Sequence, residues 1–536
     1  VMRGPRTRGR PWLRALTLLL FVVAGVALLY ELLVYVHYAV ALFRFPYDYD
    51  QGEGFELYDT LLHAQGLWPY ADSQVYPYYT SIYPPLFHIL TAPLVMIFGP
   101  QLWTGRLVSF LASLVAAAAI GVMVNRAAGP GHRGAGALVG GLSALAFLAS
   151  TYTFMIGPLF RQHMTMVMFE CLGIAALAVF DWPGGKGWLA RPDAPARHDL
   201  RWLASGLALL VAAGFSKQLA IGTVVAALGY LVLRDPARGL LAGIVAALAA
   251  GGLFAWINLE TEGWFYVSII EANINAFDLP QMWGFYSEWL NLHAVLIGGA
   301  ALMLGYEWLG RRPTLYSLWF VAGVATGALS GKYGAGESYF VTATAAAAVL
   351  FGRGALTLMT RGGQRPAWTG RLTSTAVAAL FIVQTGLTFH TYTYGFPYAQ
   401  VSALLGIPDQ PRGFYDRQGY TQLGPRPNAD DHAAGDEIVA LIRAADGPVF
   451  SEEAGFLFAA EKPVVTNAFP QLVMYQAGLF DPAAEIDQIE RREFGLVVLR
   501  GFFYPKPVLD AIGQNYVWQR AIVMNNFQYH IYGPPE

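Results

Sequence analysis

A succession of apolar runs, each about as long as a bilayer is thick, constrains this chain more than any other feature. A helical span needs about 20 apolar residues, and the runs at 16–38, 102–124, 136–156, 164–181, 203–215, 217–233, 240–257, 291–309, 315–331, 338–353 and 372–391 meet or approach that length. They predict an α-helical polytopic membrane protein with about eleven transmembrane helices. Composition agrees, since only 13% of the 536 residues are charged, against about a quarter in soluble domains. The run at 86–98 is shorter and carries Pro93, so it reads as a juxtamembrane or re-entrant helix.

Charge placement orients the chain. Arg3, Arg6, Arg8, Arg10 and Arg14 precede the first run, which ends without a small-residue cleavage site, so an uncleaved first span with a cytoplasmic N-terminus is expected. The basic loops at Arg126/Arg133, Lys186/Arg191/Arg197/Arg201, Arg234/Arg238, Arg311/Arg312 and Arg353/Arg361/Arg365/Arg371 all fall on the cytoplasmic side only if 86–98 does not cross. Two polar segments then lie outside: the loop 44–85, and the tail 392–536 that follows a membrane domain covering residues 1–391. The tail alternates helix-like stretches ("HAAGDEIVALIRAA", "AAEIDQIERR", "KPVLDAIG") with strand-like ones ("PVFSE", "KPVVT", "FGLVVL", "VWQRAIVM", "FQYHIYG"), which predicts a small extracytoplasmic α/β domain. Near its start, Arg412, Asp416 and Arg417 either reach over a site or form a linker. A net charge of −2 leaves no basic excess for nucleic acid. The single cysteine, Cys171, excludes a disulfide framework.

Acidic residues gather where the first span leaves the membrane. The stretch "FPYDYDQGEGFE" at 45–56 holds Asp48, Asp50 and Glu53. Glu53 opens an amphipathic helix with Phe55, Tyr58 and Leu62 on one face and Gly66 as its stop, expected to lie on the membrane. A carboxylate fixed at that depth can take a proton from an acceptor hydroxyl; the alternative is that Asp50 and Glu53 serve only as cap and first-turn residues. Asp48-Tyr49-Asp50 also looks like a metal-holding DxD, but no histidine pair with ligand spacing accompanies it. No metal site is assigned, and a divalent cation bridging carboxylates and a phosphate stays open.

Cations supply the complement. Arg161 in "GPLFRQH", Lys217 in "FSKQ" and Lys332 in "SGKYGAGES" break the charge rule at the outer ends of spans. A charge costs about 2.5–3.5 kcal/mol at mid-membrane and less toward the interface. Each alone can snorkel to headgroups; the three together point to a bound anion such as phosphate. "FSKQ" also divides 203–233 into two short helices, and interrupted helices often line a polar site. The aromatics of the first outer loop, from Tyr47 to Tyr83, read mostly as an interfacial belt, with one or two available to stack on a sugar.

Together, "YDQGEGFELYDTLLHAQGLWPY", "YPPLFHILTAPLVMIFG", "GRLVS", "FSKQ", "GWFYVSIIEANINAF", "GKYGAGESYF" and "GPVFSEEAGFLFAAEKP" resemble membrane glycosyltransferases of the type C fold. The resemblance lies near bacterial relatives of protein O-mannosyltransferases and lipid A aminoarabinose transferases, in a branch without an assigned acceptor. It implies a polyprenyl-phosphate sugar donor, one inverting displacement at the anomeric carbon, and an acid of the first outer loop as base. That acid falls on Asp50, then Glu53, then Asp48; Lys217 falls on the donor-phosphate position, with Lys332, Arg161 and Arg106 as further cations. Where relatives often read Arg-x-Asp, this chain has Arg161-Gln162-His163, which leaves that ion pair in question and His163 free to respond to pH. Glu337 stands where a neutral amide is expected, so its role is open, and Tyr83 completes the candidates. The rival class is a secondary transporter or lipid flippase, against which no inverted repeat is visible and the charges cluster on one side. A third is a scaffold whose tail binds glycan.

Overall fold

The apolar runs form helices whose lengths and breaks decide what reaches the site. The structure, a computed structural model, describes residues 11–182, 184–190, 199–360, 367–388, 400, 403–404 and 426–536. The arginines before residue 11, Arg191, Arg197, Arg361, Arg365, the 391/392 boundary, and Arg412, Asp416 and Arg417 lie outside the described residues. The membrane domain comprises α1 (Pro11–Arg44), α2 (Glu53–Ala64), α3 (Leu86–Phe98), α4 (Leu102–Asn125), α5 (Arg133–Leu148), α6 (Thr151–Ile156), α7 (His163–Leu177), α8 (Leu200–Ser216), α9 (Ile221–Arg234), α10 (Pro236–Glu260), α11 (Trp264–Ile269), α12 (Leu279–Leu292), α13 (Ala294–Leu309), α14 (Leu315–Gly327), α15 (Val341–Thr360) and α16 (Ala367–Thr388).

Among the described residues, four helices are long and apolar enough to cross a bilayer: α1, α4, α10 and the stretch Glu337–Thr360 that contains α15. The pair α12 and α13, bent by 92° at its break, would make a fifth. The remaining apolar runs form shorter or broken helices; 136–156 divides at Ala149–Ser150 into α5 and α6. α10 turns Leu241, Val245 and Leu248 outward, whereas α15 is enclosed by its neighbours. The run Ala345–Ala348 carries nothing beyond a methyl group, which lets adjacent helices approach closely.

The tail folds as α17 (Ala429–Ala444), β1 (Val449–Ser451), α18 (Gly455–Ala460), α19 (Ala468–Gln476), α20 (Ala483–Glu490), β2 (Leu496–Leu499), α21 (Lys506–Asn515), β3 (Val517–Met524) and β4 (Phe527–Gly533). The sheet order is β1-β2-β4-β3, with β1 and β2 parallel and the other pairs antiparallel. The parallel partners β1 and β2 are wholly buried, matching their mostly apolar sequence. The expected strand "KPVVT" does not join the sheet. Its Val465 carbonyl accepts from Tyr78 N at 3.1 Å and Thr466 bridges Tyr78, so its backbone is committed to the loop 44–85.

The tail is anchored to that loop at several points. Asn467 Nδ2 donates to the Thr80 carbonyl (3.2 Å) and Gln471 Nε2 to the Tyr78 carbonyl (3.0 Å). Asp48 accepts from Gly54 N (2.5 Å) and Gly455 N (2.8 Å). Here the two backbones nearly touch: a Cβ on Gly54 would lie 2.1 Å from Gly455 N. Consequently α2 does not lie on lipid as its amphipathic pattern suggests; it packs against α3, α4 and α18, burying Phe55, Leu57 and Thr60.

Candidate active site

The loop that carries the acids is shaped by one buried ion pair. Arg106, in the second turn of α4, donates through Nη1 to the carbonyls of Leu42 and Phe45 (both 2.5 Å). Its Nη2 donates to the Tyr47 carbonyl (2.8 Å) and Glu53 Oε2 (2.7 Å), and its Nε to Glu53 Oε1 (2.9 Å). Glu53 also accepts from the backbone N–H groups of Tyr49 (2.9 Å), Asp50 (3.2 Å) and Phe160 (2.7 Å). Burial favours the neutral acid, but Arg106 and these N–H groups outweigh it and hold the Glu53 carboxyl below its ordinary value. The two side chains thus bend the chain from α1 into α2. Neither lines the cavity beside the loop. Asp48, pushed up to about 6 by burial, is likewise spent on Gly54 and Gly455.

That cavity encloses about 1250 Å³, its open side included. Asp50, Glu56 and Asp59 line it from the loop and α2; Tyr83, Arg161, His163 and Lys217 line it from the membrane domain, with Glu337 and Tyr339. Glu452, Phe469 and Phe503 of the tail close the remaining wall. Asp50 Oδ2 is 2.5 Å from Arg161 Nε, and Glu56 Oε1 is 3.0 Å from Arg161 Nη1. Burial raises the Asp50 carboxyl against the opposing pull of Arg161. The same two influences bring Glu56 to about 7. Gly52, at φ 92°, begins α2 in the left-handed region, and the adjoining Gln51 carbonyl accepts from Arg161 Nη2.

Lys217 reaches the cavity because α8 stops at Ser216 and the chain extends for one residue before turning into α9. Its Nζ donates to His163 Nε2 and lies 5.3 Å from the Tyr83 ring centre and 5.6 Å from that of Tyr339. Of the cations expected to hold phosphate, Arg161 and Lys217 therefore share one cavity with Asp50. Lys332 does not line it and donates to the Asn273 carbonyl (2.5 Å), while Arg106 is committed to the loop. The Arg-x-Asp departure has a local answer: Arg161 pairs with Asp50 and Glu56, and His163 faces Lys217.

No protein-family model matches the chain, and no curated protein matches it in sequence. Among solved structures, ArnT from Cupriavidus metallidurans in the apo state matches with a TM-score of 0.57 at 15% identity, over 97% of this chain and 99% of ArnT. Archaeal oligosaccharyltransferase AglB from Archaeoglobus fulgidus, in complex with an inhibitory peptide and a dolichol-phosphate, matches with a TM-score of 0.51 at 11% identity, over 95% of this chain and 74% of AglB. The fold is the type C glycosyltransferase fold. Its helical body and mixed C-terminal tail are the two features the sequence pattern predicts.

Several residues in or beside this cavity are not singled out by the sequence pattern. Glu56 and Asp59 stand three apart on one face of α2, a spacing that pairs them. His88 is the one ionisable side chain in the apolar run 86–98, and that isolation is its signal. Glu452 gives none. It accepts from the backbone N–H groups of Arg500 (2.6 Å), Gly501 (2.8 Å), Phe502 (3.1 Å) and Phe503 (2.5 Å), curling that segment so that Phe503 enters the cavity wall.

Proposed function

We propose that the protein is an inverting glycosyltransferase that moves a sugar from a polyprenyl-phosphate donor to an acceptor hydroxyl at the outer face of the cytoplasmic membrane. The observation that carries this reading is the convergence of Asp50, Arg161 and Lys217 on one cavity. The type C fold supports transfer over transport, and the dolichol-phosphate in the AglB complex supports a lipid phosphate as the donor's leaving group. In this reading the N-terminus and the basic loops are cytoplasmic, and the tail is an extracytoplasmic domain.

The chemistry follows from the positions. Asp50 accepts the proton of the acceptor hydroxyl as its oxygen attacks the anomeric carbon; the bond from that carbon to the phosphate oxygen breaks, and polyprenyl phosphate leaves. Lys217, with Arg161 beside it, stabilises the charge gathering on the phosphate. Arg161 also keeps the Asp50 carboxylate oriented. Tyr83 and Tyr339 line the cavity and supply aromatic surface against which the sugar packs.

The test is transfer from synthetic polyprenyl-phosphate sugars in proteoliposomes. Asp50→Asn is expected to lower the rate about 10²–10⁴-fold, and Lys217→Ala by a factor of about 10² or more. Unimpaired transfer by both variants refutes the assignment, and substrate movement across vesicles without transfer favours a transporter.

A further inference from the structure

We propose that Glu56, Asp59 and His88 form a divalent-metal site beside the cavity, suited to a borderline ion such as Zn²⁺. One hydrogen atom sets the state of the histidine. Thr60 Oγ1 lies 2.8 Å from the Glu56 carbonyl oxygen, which can only accept, so the hydroxyl hydrogen is committed there. The same Oγ1 lies 3.1 Å from His88 Nδ1 and therefore accepts from it. His88 is thereby fixed as the Nδ1–H tautomer, and its Nε2 carries a lone pair.

That lone pair faces two carboxylates. Nε2 is 3.3 Å from Glu56 Oε2 and 3.7 Å from Asp59 Oδ2. All three side chains are buried, and neither His88 Nε2 nor Glu56 Oε2 has a hydrogen-bond partner among the described residues. Glu56 Oε1 is served by Arg161 (3.0 Å) and Asp59 Oδ1 by the Tyr79 hydroxyl (2.7 Å), while Asp59 Oδ2, the oxygen nearest His88 Nε2, accepts from the Ser81 hydroxyl (2.6 Å). Three electron-rich atoms, all within 4.8 Å of one another, thus converge on a common point.

A proton or a metal ion can occupy such a point, and the two favour different spacings. A proton shared between imidazole and carboxylate draws the heavy atoms to about 2.7–2.9 Å. Ligands bound tetrahedrally at about 2.0–2.1 Å stand roughly 3.3 Å apart. The separation of 3.3 Å is close to the second arrangement, and that of 3.7 Å is longer than a hydrogen bond. One imidazole with two carboxylates at tetrahedral spacing is a donor set for zinc and a poor one for calcium or manganese, and an Nδ1–H held by a neighbouring oxygen is the usual orienting bond of a metal-binding histidine. Because Glu56 and Asp59 line the cavity, a fourth position opens toward it for an oxygen ligand. The site stands independently of the transferase reading.

The experiment uses the full chain purified in detergent, stripped with a chelator and titrated with ZnCl₂ and MnCl₂ separately, reading bound metal by mass spectrometry and Tm by fluorescence. A single Zn²⁺ per chain and a higher Tm are expected, with Mn²⁺ binding more weakly. His88→Gln is expected to weaken binding at least about tenfold, and Thr60→Val, which releases the tautomer, about 10–100-fold. Should His88→Gln not fold, the visible spectrum of the Co²⁺-loaded wild type decides, intense tetrahedral bands being expected. Absence of bound metal near neutral pH, unchanged affinity in a folded His88→Gln, or a weak octahedral cobalt spectrum each overturns the proposal.

Discussion

Arg106 and Arg161 bring the same side chain to the same loop and end in different roles. Arg106 spends its donors on three carbonyls and Glu53 in a water-free setting, whereas Arg161 faces the cavity with Asp50 and Glu56. Removing one member of a fully buried pair strands the other and costs about 3–5 kcal/mol. Arg106→Met is therefore expected to lower Tm steeply, while the protein that remains folded keeps its donor KM; a raised KM with unchanged Tm sinks the distinction. The sequence singles out both arginines because charge near a membrane is conspicuous. It cannot rank them, since Leu42, Phe45 and Tyr47 turn their carbonyls toward Arg106 only after α1 and α4 have packed. Asp50 is legible for a different reason: its position just beyond the first span is a matter of chain order.

At the scale of the elements, length is the readable quantity. The 31 residues from 203 to 233 cannot hold two full spans, and the break between α8 and α9 delivers Lys217 where expected. The environment of α2 is not readable, because an apolar helical face looks the same whether it meets lipid or protein. Glycine marks the contact that covers it. On Gly455 a Cβ would stand 1.9 Å from Asp48 Oδ2, and on Gly54 2.1 Å from Gly455 N. Either Gly54→Ala or Gly455→Ala is expected to pry α18 from α2, opening the tail to limited proteolysis and lowering transfer about 10²-fold through misplacement of the wall. Wild-type protease resistance in both variants contradicts this.

On the scale of the whole molecule, the tail is a wall of the site. Deleting 426–536 is expected to abolish transfer while leaving membrane insertion intact; retained transfer would show that the tail is not needed for the reaction. The tail also carries its own pH dependence. Burial pushes the Glu485 carboxyl up to about 7, against hydrogen bonds from Gln471 and Thr466. The folded chain holds this proton more tightly than the unfolded one, so the contribution to stability is complete below the ordinary carboxylate range and is lost as pH rises through about 7. Glu485→Gln removes that loss. Its advantage over wild type, read as unfolding free energy, is expected to grow between about pH 5 and pH 8 to the order of 3 kcal/mol, and a gap that stays constant with pH argues against it. The strands and helices of the tail are legible from alternation and period. Their placement over the cavity is not, because contacts such as Asp48 with Gly455 join positions far apart in the chain and leave no local pattern.

The closeness of Gly54 and Gly455 also bears on how such proteins can be recombined. No side chain fits between the two backbones, and Asp48 ties both together, so a tail transplanted alone from another type C protein would meet a mismatched seat. The loop 44–85 and the tail would have to be exchanged together, with Arg106 of α4 kept to bend the new loop.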